Sequence, residues 1–579
     1  MTINARAVNR RRFFQLGAAA TGTLLLAACG GTTDTPAATG TGTSGGASGS
    51  GTAAAGTSSS VAPSELVSVD TSPMTGVPSG VQLAPTQEAS FALSNLPASI
   101  DPHVTGGYPR RFDMYEMLTD VKPDTGAPRP FLATEWEQID DTTWEFTLRD
   151  GVKFHDGSPL TAEDVVFSWT RASGENYAIK SQISTFKSAT AVDDTTVRIV
   201  TSSPDLLMPK RAAQIGIIPK AYYEGLGADA EARDAAFAAA PVGSGPYKFV
   251  EYSTERAVVE KADTTWRTPT LTKITFLSVT DTGSQMNSLL AGDVQYVNIM
   301  PLTSIAPLTA GGATLINITK GNDLGAFMDE VDMNGAVKTG PMGNATVRQA
   351  FQHAINKKEL VEQVLKNSTY NDNGQLIGPG LTGFNDALSE FAYDPEKAKS
   401  MLDEAGFPAP ADGSPRFTIT MASAFAGPGS VRRLVGEYFA NAITQLGVQV
   451  DYTALTDSTL QLDYFYNRQQ RPDIYHFGLF TRPYMDAARA YTYFTTDGGG
   501  LHMTDDEFDE LYTKQLSQFD EAERAETLDR MAEIMQEKSC FLFACGDVWI
   551  DAAGKGLRGL TQCDAQTDQY YSALYMVEA

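Results

Sequence analysis

Trp144, Phe146 and Leu148 alternate with Glu145 and Thr147, and Val197 and Ile199 flank Arg198 in the same way. Both stretches carry the period of two that marks a half-buried strand. Elsewhere the period is helical. Ala162, Val165, Val166 and Trp169 share one face behind Thr161, with Glu163 and Asp164 at the positive end, so a helix capped by Thr161 is predicted. Asp394-Pro395-Glu396 predicts another start, with Met401, Leu402 and Ala405 inside and Gly406 just past the end. Val347, Ala350, Phe351, Ala354 and Ile355 predict a third helix, and Asn356-Lys357-Lys358-Glu359 a fresh cap, hence two helices in succession. From Phe417 to Tyr452 the pattern is an alternating strand (Phe417, Ile419, Met421), a helix around Val435 to Leu446, Gly447, and a second alternating strand (Val448, Val450, Tyr452). Such a β-α-β unit predicts parallel neighbours in an open α/β sheet, where ligands sit beyond strand ends and between domains.

At the N-terminus the apolar stretch Phe13–Leu26 is too short for a stable membrane span and follows Arg10, Arg11 and Arg12, the order of an export signal. Asn9-Arg10-Arg11-Arg12-Phe13-Phe14 resembles the twin-arginine signal read by a translocase of folded cargo. Leu26-Ala27-Ala28-Cys29 resembles the lipobox of bacterial lipoproteins, which implies a diacylglyceryl group on Cys29, cleavage of residues 1–28 and a lipid anchor outside the cell membrane. Residues 29–85 are rich in Gly, Ser, Thr and Ala with few large apolar side chains, and are expected to form a disordered tether spanning about 40 Å. Two strings inside it, Gly40–Gly45 and Gly42–Gly46, match nucleotide-loop and nucleophile-elbow patterns, but neither follows a strand or opens a helix.

Charge and composition narrow the class. Without the four arginines of the leader the chain carries 40 basic against 70 acidic residues, a net charge of −30. This suits a soluble exported protein and disfavours nucleic acid and anionic membranes as partners. Cys540, Cys545 and Cys563 have no C-x-x-C spacing or companion His, so a disulfide and buried thiols both stay open. The histidines (His103, His155, His353, His476, His502) are dispersed and form no zinc motif; no cofactor or protein-built metal site is expected. His155 lies in a Phe154-His155-Asp156-Gly157 turn, and His476 beside the candidate ligand segment.

A set of longer runs carries a family resemblance. These are Tyr115–Leu118, Pro123–Gly126, Leu132–Glu137, the unbroken Leu148–Val165, Pro241–Tyr247, Leu289–Val294, Val347–Ala350 and Ala354–Asn356. Together they resemble the extracellular solute-binding proteins of family 5, the oligopeptide-, dipeptide- and nickel-binding lipoproteins of ATP-binding-cassette importers. The resemblance implies an α/β, two-lobed fold of the type II periplasmic-binding-protein kind, with an extra domain inserted in the first lobe. Domain I is expected from residues 86–114, 241–325 and 541–579, the inserted domain II from 115–240, and the opposing domain III from 326–540.

The same resemblance implies a monomer that binds a peptide or peptide-like solute and works with permease and ATPase subunits; no Walker loop occurs in this chain. Where peptide binders carry Gly-Trp followed by an Asp for the ligand's ammonium, this sequence reads Gly478-Leu479-Phe480-Thr481-Arg482-Pro483-Tyr484-Met485-Asp486. Arg482 is then either a cleft guanidinium that favours an acid group or a solvated loop charge, and a shifted register would bring Asp486 to an amine. Tyr177, Phe480 and Tyr484 are the expected cleft aromatics. A metal-chelate or other acid-bearing ligand remains an alternative, as do an exported hydrolase and a receptor without transport, although no nucleophile–base motif supports catalysis.

Overall fold

The computed structural model describes residues 77–578 apart from 105–111, 124, 319–321, 333, 366–373, 428–429, 457–460, 462–463, 465–470, 482–483, 497–499, 547–548 and 562–569. The export signal, Cys29, most of the tether, Arg482 and Cys563 therefore lie outside the described residues.

The chain opens with β1 (Glu88–Leu93), then forms a hairpin of β2 (Thr119–Val121) and β3 (Pro128–Pro130). A four-stranded antiparallel sheet follows, built from β4 (Ala133–Asp140), β5 (Thr143–Leu148), β6 (Phe186–Ala191) and β7 (Thr196–Thr201) in the order β4-β5-β7-β6. The chain returns through β8 (Tyr247–Tyr252), β9 (Arg256–Lys261), β10 (Lys273–Ser278), β11 (Tyr296–Met300) and β12 (Thr314–Ile318). It then crosses into a second large sheet with β13 (Asn322–Met328), β14 (Thr418–Ser423), β15 (Gln449–Ala454), β16 (Ile474–His476), β17 (Leu479–Phe480) and β18 (Phe541–Gly546), and β19 (Trp549–Ala553) runs back into the first. The first sheet has seven strands ordered β12-β19-β11-β1-β10-β9-β8; the second runs β15-β14-β16-β13-β17, with β18 also paired to β13. Each belongs to one lobe, and the chain passes between them twice, between β12 and β13 and between β18 and β19.

Local chemistry explains the elements. In β5 the side chains alternate between half-buried and buried, with Trp144, Phe146 and Leu148 inward. Helix Ala162–Ala172 begins at Thr161, whose N–H and Oγ1 both donate to the Asp164 carboxylate at 2.9 and 3.0 Å. Asp394 accepts from Lys397 N at 2.9 Å and starts helix Pro395–Glu404. Asn356 accepts from Glu359 N at 3.1 Å, separating helix Ala345–Ala354 from the next turn. The β-α-β unit is present, with β14 and β15 parallel. Its helix runs Val431–Thr444, earlier than the apolar spacing suggests, because Ser430 caps it by accepting from Arg433 N.

Two close-packed joints hold the lobes' interiors. On return from the four-stranded region, Gly245 N donates to Met114 O at 2.9 Å, and His155 N donates to Gly243 O at 2.8 Å. The His155 ring completes the joint by donating from Nε2 to Gly245 O at 2.9 Å, so Nδ1 is left to accept from Gly243 N at 3.3 Å. His155 is thus a docking residue for this strand. In the far lobe, Arg348 on helix Ala345–Ala354 is fully buried and donates to Lys538 O (2.8 Å), Met342 O (2.6 Å) and Glu330 Oε2 (2.7 Å). Cys540, also buried, points its thiol toward Glu330.

Candidate functional site

Strand direction brings the carboxyl ends of two sets of parallel strands to the same side. In the first lobe β1 is parallel to β10 and β11, while β19 is antiparallel to both β11 and β12, so β12 runs with the parallel set. Because β12 ends at the crossing, the carboxyl ends of all four strands lie on that side. In the far lobe β13 starts at the crossing and β16 is antiparallel to it, so β16 and its parallel neighbours β14 and β15 also end toward the crossing. Carboxyl ends of parallel strands are where open α/β sheets bind ligands, and here two such edges flank one hinge.

Each edge presents a large apolar side chain on a left-handed backbone. Ile299, at the end of β11, has φ 52° and is 40% exposed; Phe425, just after β14, has φ 52° and is 49% exposed. Left-handed backbone is costly for such residues and persists only where the surroundings enforce it. Ile299 is held by its N–H donating to Asp551 Oδ1 at 3.0 Å. Phe425 is held by its neighbours, since Ala424 N donates to His476 O and Ala426 N to Leu455 O, each at 2.9 Å.

Around Phe425 the edge is aromatic and cationic. Its ring lies 5.8 Å from Phe477, which lies 5.7 Å from Tyr475, and the Arg432 guanidinium stands 5.7 Å from the Phe425 ring. Arg432 belongs to the first turn of helix Val431–Thr444, whose positive end opens on the same edge. Beneath them His476 is fully buried, 3.2 Å from Ser423 Oγ through Nδ1. Burial, and after it the Arg432 charge, push its pKa down to about 3. A Ser–His pair with so weak a base, both members at 0% exposure, is not equipped to activate a nucleophile near neutrality.

The His155 imidazole is likewise pushed down to about 4, chiefly by burial. Both groups are less basic when folded than the ordinary 6.5, so the unfolded chain binds more protons as pH falls from about 6.5 to about 4. Stability from this source is complete above pH 6.5 and is lost on acidification, at about 1.4 kcal/mol per pH unit for each histidine. Urea midpoints measured from pH 7 to 4.5 are expected to fall throughout this window, and His155→Gln to flatten the slope by one proton. A midpoint independent of pH there contradicts the assignment.

The residues singled out from the sequence are distributed as follows. Gly478 (φ 80°) links β16 to β17, Leu479 is buried in the core, and Phe480 pairs through its backbone with Asn322. Thr481 is buried, and its carbonyl accepts from Tyr484 N and Met485 N. The Tyr484 hydroxyl donates to Gln182 O at 3.1 Å. Asp486, 1% exposed, is gripped by both Nη atoms of Arg524 at 2.9 and 2.7 Å, so its carboxylate already has a cation partner. Tyr177, half-buried, donates to Asp234 at 2.9 Å with the Arg171 guanidinium 4.4 Å from its ring. The sequence signal nearest Phe425, Phe477, Arg432 and Ile299 is the Gly427-Pro428-Gly429 string that follows the first strand of the predicted β-α-β unit. Among the described residues no group of three or more His, Cys, Asp or Glu could hold a metal ion, and no helix is long and apolar enough to cross a membrane.

The profile of the bacterial extracellular solute-binding proteins, family 5 Middle, matches residues 127–501. The chain is 30% identical over 323 residues to heme-binding protein A of Haemophilus influenzae, covering 51% of this chain and 57% of that one. It is 29% identical over 322 residues to the dipeptide-binding protein of Escherichia coli, covering 51% and 58%. These alignments span less than two thirds of either relative. The structure of HbpA2 from Haemophilus parasuis superposes with a TM-score of 0.70 at 21% identity, covering 84% of this chain and 99% of that one, which shows a shared fold.

Proposed function

We infer the function from one premise: the chain belongs to the bacterial extracellular solute-binding proteins of family 5. It acts outside the cytoplasm as the substrate-binding component of an ATP-binding-cassette importer, performs no catalysis of its own, and passes its cargo to permease and ATPase subunits. The names of two relatives, a dipeptide binder and a haem binder, support transport of a peptide-like solute or of a larger acid-bearing one. Attachment to the membrane through a lipid on Cys29, at the end of the tether, belongs to the same proposal and rests on the lipobox resemblance. The lobes hinge where the chain crosses between β12 and β13 and between β18 and β19, and ligand contacts with both edges favour the closed form.

The observation that carries the ligand reading is Phe425, half exposed on an enforced left-handed backbone with Arg432 beside it. An apolar platform next to a guanidinium and a helix N-terminus suits a solute that pairs an apolar or aromatic portion with a carboxylate. Phe477 stands on the same edge, and Arg482, five residues further along the sequence, remains a proposed ligand contact.

Thermal shifts of the full-length chain with small peptides, their C-terminal amides and haemin test this, because a ligand bound only by the folded state stabilises it by about 2.7 kcal/mol at 100 times its Kd. Free acids are expected to outperform amides, and Arg432→Gln to weaken the acids about tenfold or more while leaving the amides unchanged. Equal response to acid and amide in the parent, or a preference that survives Arg432→Gln, overturns the assignment.

A further inference from the structure

The carboxyl end of β11 is irregular in a way that packing of the first lobe does not require. Between β11 and β19 the register runs Tyr296 with Ala553 and Val297 with Ala552, and the next pair is Met300 with Ile550. Three steps along β11 thus answer two along β19, which is a bulge with one extra residue. Val297, Met300, Ile550 and Ala552 all pack in one apolar cluster. Met300 has therefore taken the inward place that an unbroken strand, with its period of two, would give Ile299. The bulge ejects Ile299 to 40% exposure and turns Asn298 toward β1, where its Oδ1 accepts from Ser94 N at 2.8 Å.

Asp551 holds the bulge in place. It lies on β19 between Ile550 and Ala552, opposite the extra residue, and is buried. Its Oδ1 accepts from Ile299 N at 3.0 Å, and its Oδ2 accepts from the Tyr296 hydroxyl, so one carboxylate ties the residues on either side of the irregularity. A β-branched residue at φ 52° is a strong outlier. Hydrogen bonds to a charged acceptor are roughly twice as strong as neutral ones, and these two offset the backbone cost. A regular strand would bury Ile299 and need no such carboxylate. Bulges that re-aim a side chain, and backbone outliers held by their surroundings, gather at sites that meet a ligand.

We propose that Ile299 is a specificity-determining contact of the first lobe and Asp551 its positioning residue, the two together selecting the apolar portion of the solute; this rests on the ligand site proposed above. Ile299 meets that portion from the first-lobe edge and Phe425 meets it from the far-lobe edge, while Arg432 takes the acid group. Preference among solutes that share the acid group and differ in apolar area is then set at Ile299, and overall affinity for acids at Arg432.

Two readouts test this in the full-length chain, and the first needs no solute. In hydrogen exchange, Asp551→Ala is expected to speed the Ile299 amide at least tenfold, read in peptides covering 296–300, while peptides within 418–423 keep their rates. Asp551→Asn, whose Oδ1 still accepts, should restore most of the protection. The second readout is the affinity ratio of the dipeptides Ala-Phe and Ala-Ala, which share a carboxylate. The parent is expected to prefer Ala-Phe. Ile299→Gly, which takes φ 52° without strain, and Asp551→Ala should each cut that preference at least fivefold and leave Ala-Ala within twofold. A role confined to holding the fold would instead weaken both peptides together. Arg432→Gln should weaken both alike and keep the ratio. A ratio unchanged in Ile299→Gly, while Arg432→Gln still weakens both, overturns this inference and spares the proposed ligand site; so does a parent that binds the two equally. Affinities unchanged in Arg432→Gln overturn the ligand site and this inference with it. Unchanged exchange in Asp551→Ala overturns the positioning role of Asp551.

Discussion

Arg348→Ala is expected to destabilise the far lobe by about 3–5 kcal/mol, the range for removing one partner from a buried ion pair. The guanidinium is fully buried and makes three bonds in three directions, to the Glu330 carboxylate, the Met342 carbonyl and the Lys538 carbonyl. Alanine leaves two carbonyls without this donor and Glu330 with the weak Cys540 thiol donor and the partly exposed Lys538 ammonium, 3.6 Å away. It also opens a cavity the size of the side chain beneath helix Ala345–Ala354. Arg348→Lys keeps the charge but lacks the planar fork, so it should recover less than half of the loss. Arg348→Met combined with Glu330→Leu removes both charges and should be milder than Arg348→Ala alone, with the two carbonyls setting the residual cost. Far-lobe unfolding in urea, followed by exchange of β13 and β18 amides, measures all three. An Arg348→Ala loss under 1 kcal/mol would show that the pair contributes little.

Gly243→Ala is expected to cost on the order of 3 kcal/mol by a different route, steric rather than electrostatic. A Cβ at 243 would stand 2.0 Å from Met114 O, and one at 245 would stand 2.2 Å from Asp113 O. Both obstacles are backbone atoms that cannot rotate away. Relief requires moving the returning strand off Met114, which breaks the Gly245–Met114 bond and the three bonds between this strand's backbone and His155. The damage should concentrate at the joint between the inserted region and the first lobe, so limited proteolysis near residues 240–247 should accelerate before the far lobe loosens. Gly157→Ala offers a contrast, since nothing lies within 4 Å of its Cβ position, and its cost should be only that of the left-handed backbone at φ 89°. Equal losses in the two variants would contradict the crowding argument.

What the sequence revealed, and what it hid, divides along the range of the interaction. Thr161, Asp394 and Asn356 cap helices through partners three residues away, and spacing of that kind is visible in the chain itself. The β-α-β unit was legible for the same reason, and the long Leu148–Val165 run carried the fold. Tyr177, Tyr484 and Asp486 have hydrogen-bond partners 57, 302 and 38 residues off, at Asp234, Gln182 and Arg524, which no local pattern in the sequence shows. Phe425 escaped notice for a related reason. Nothing in Ala424-Phe425-Ala426 signals a left-handed residue; the conformation comes from β15 and β16 pinning the backbone on either side, which only the assembled sheet can do.

The placement of β19 between β11 and β12 sets a timetable for synthesis. Until residue 553 is made, β11 has an open edge and β12 has no neighbour in its own sheet. About 250 residues separate the end of β11 from β19, and at about 5–20 residues per second the ribosome needs roughly 13–50 s to make them. Throughout that interval the nascent chain displays a row of unpaired N–H and C=O groups, a template for pairing with other chains. The first sheet is therefore completed only after the far lobe's strands have been made, and until then its open edge is exposed to pairing with other chains.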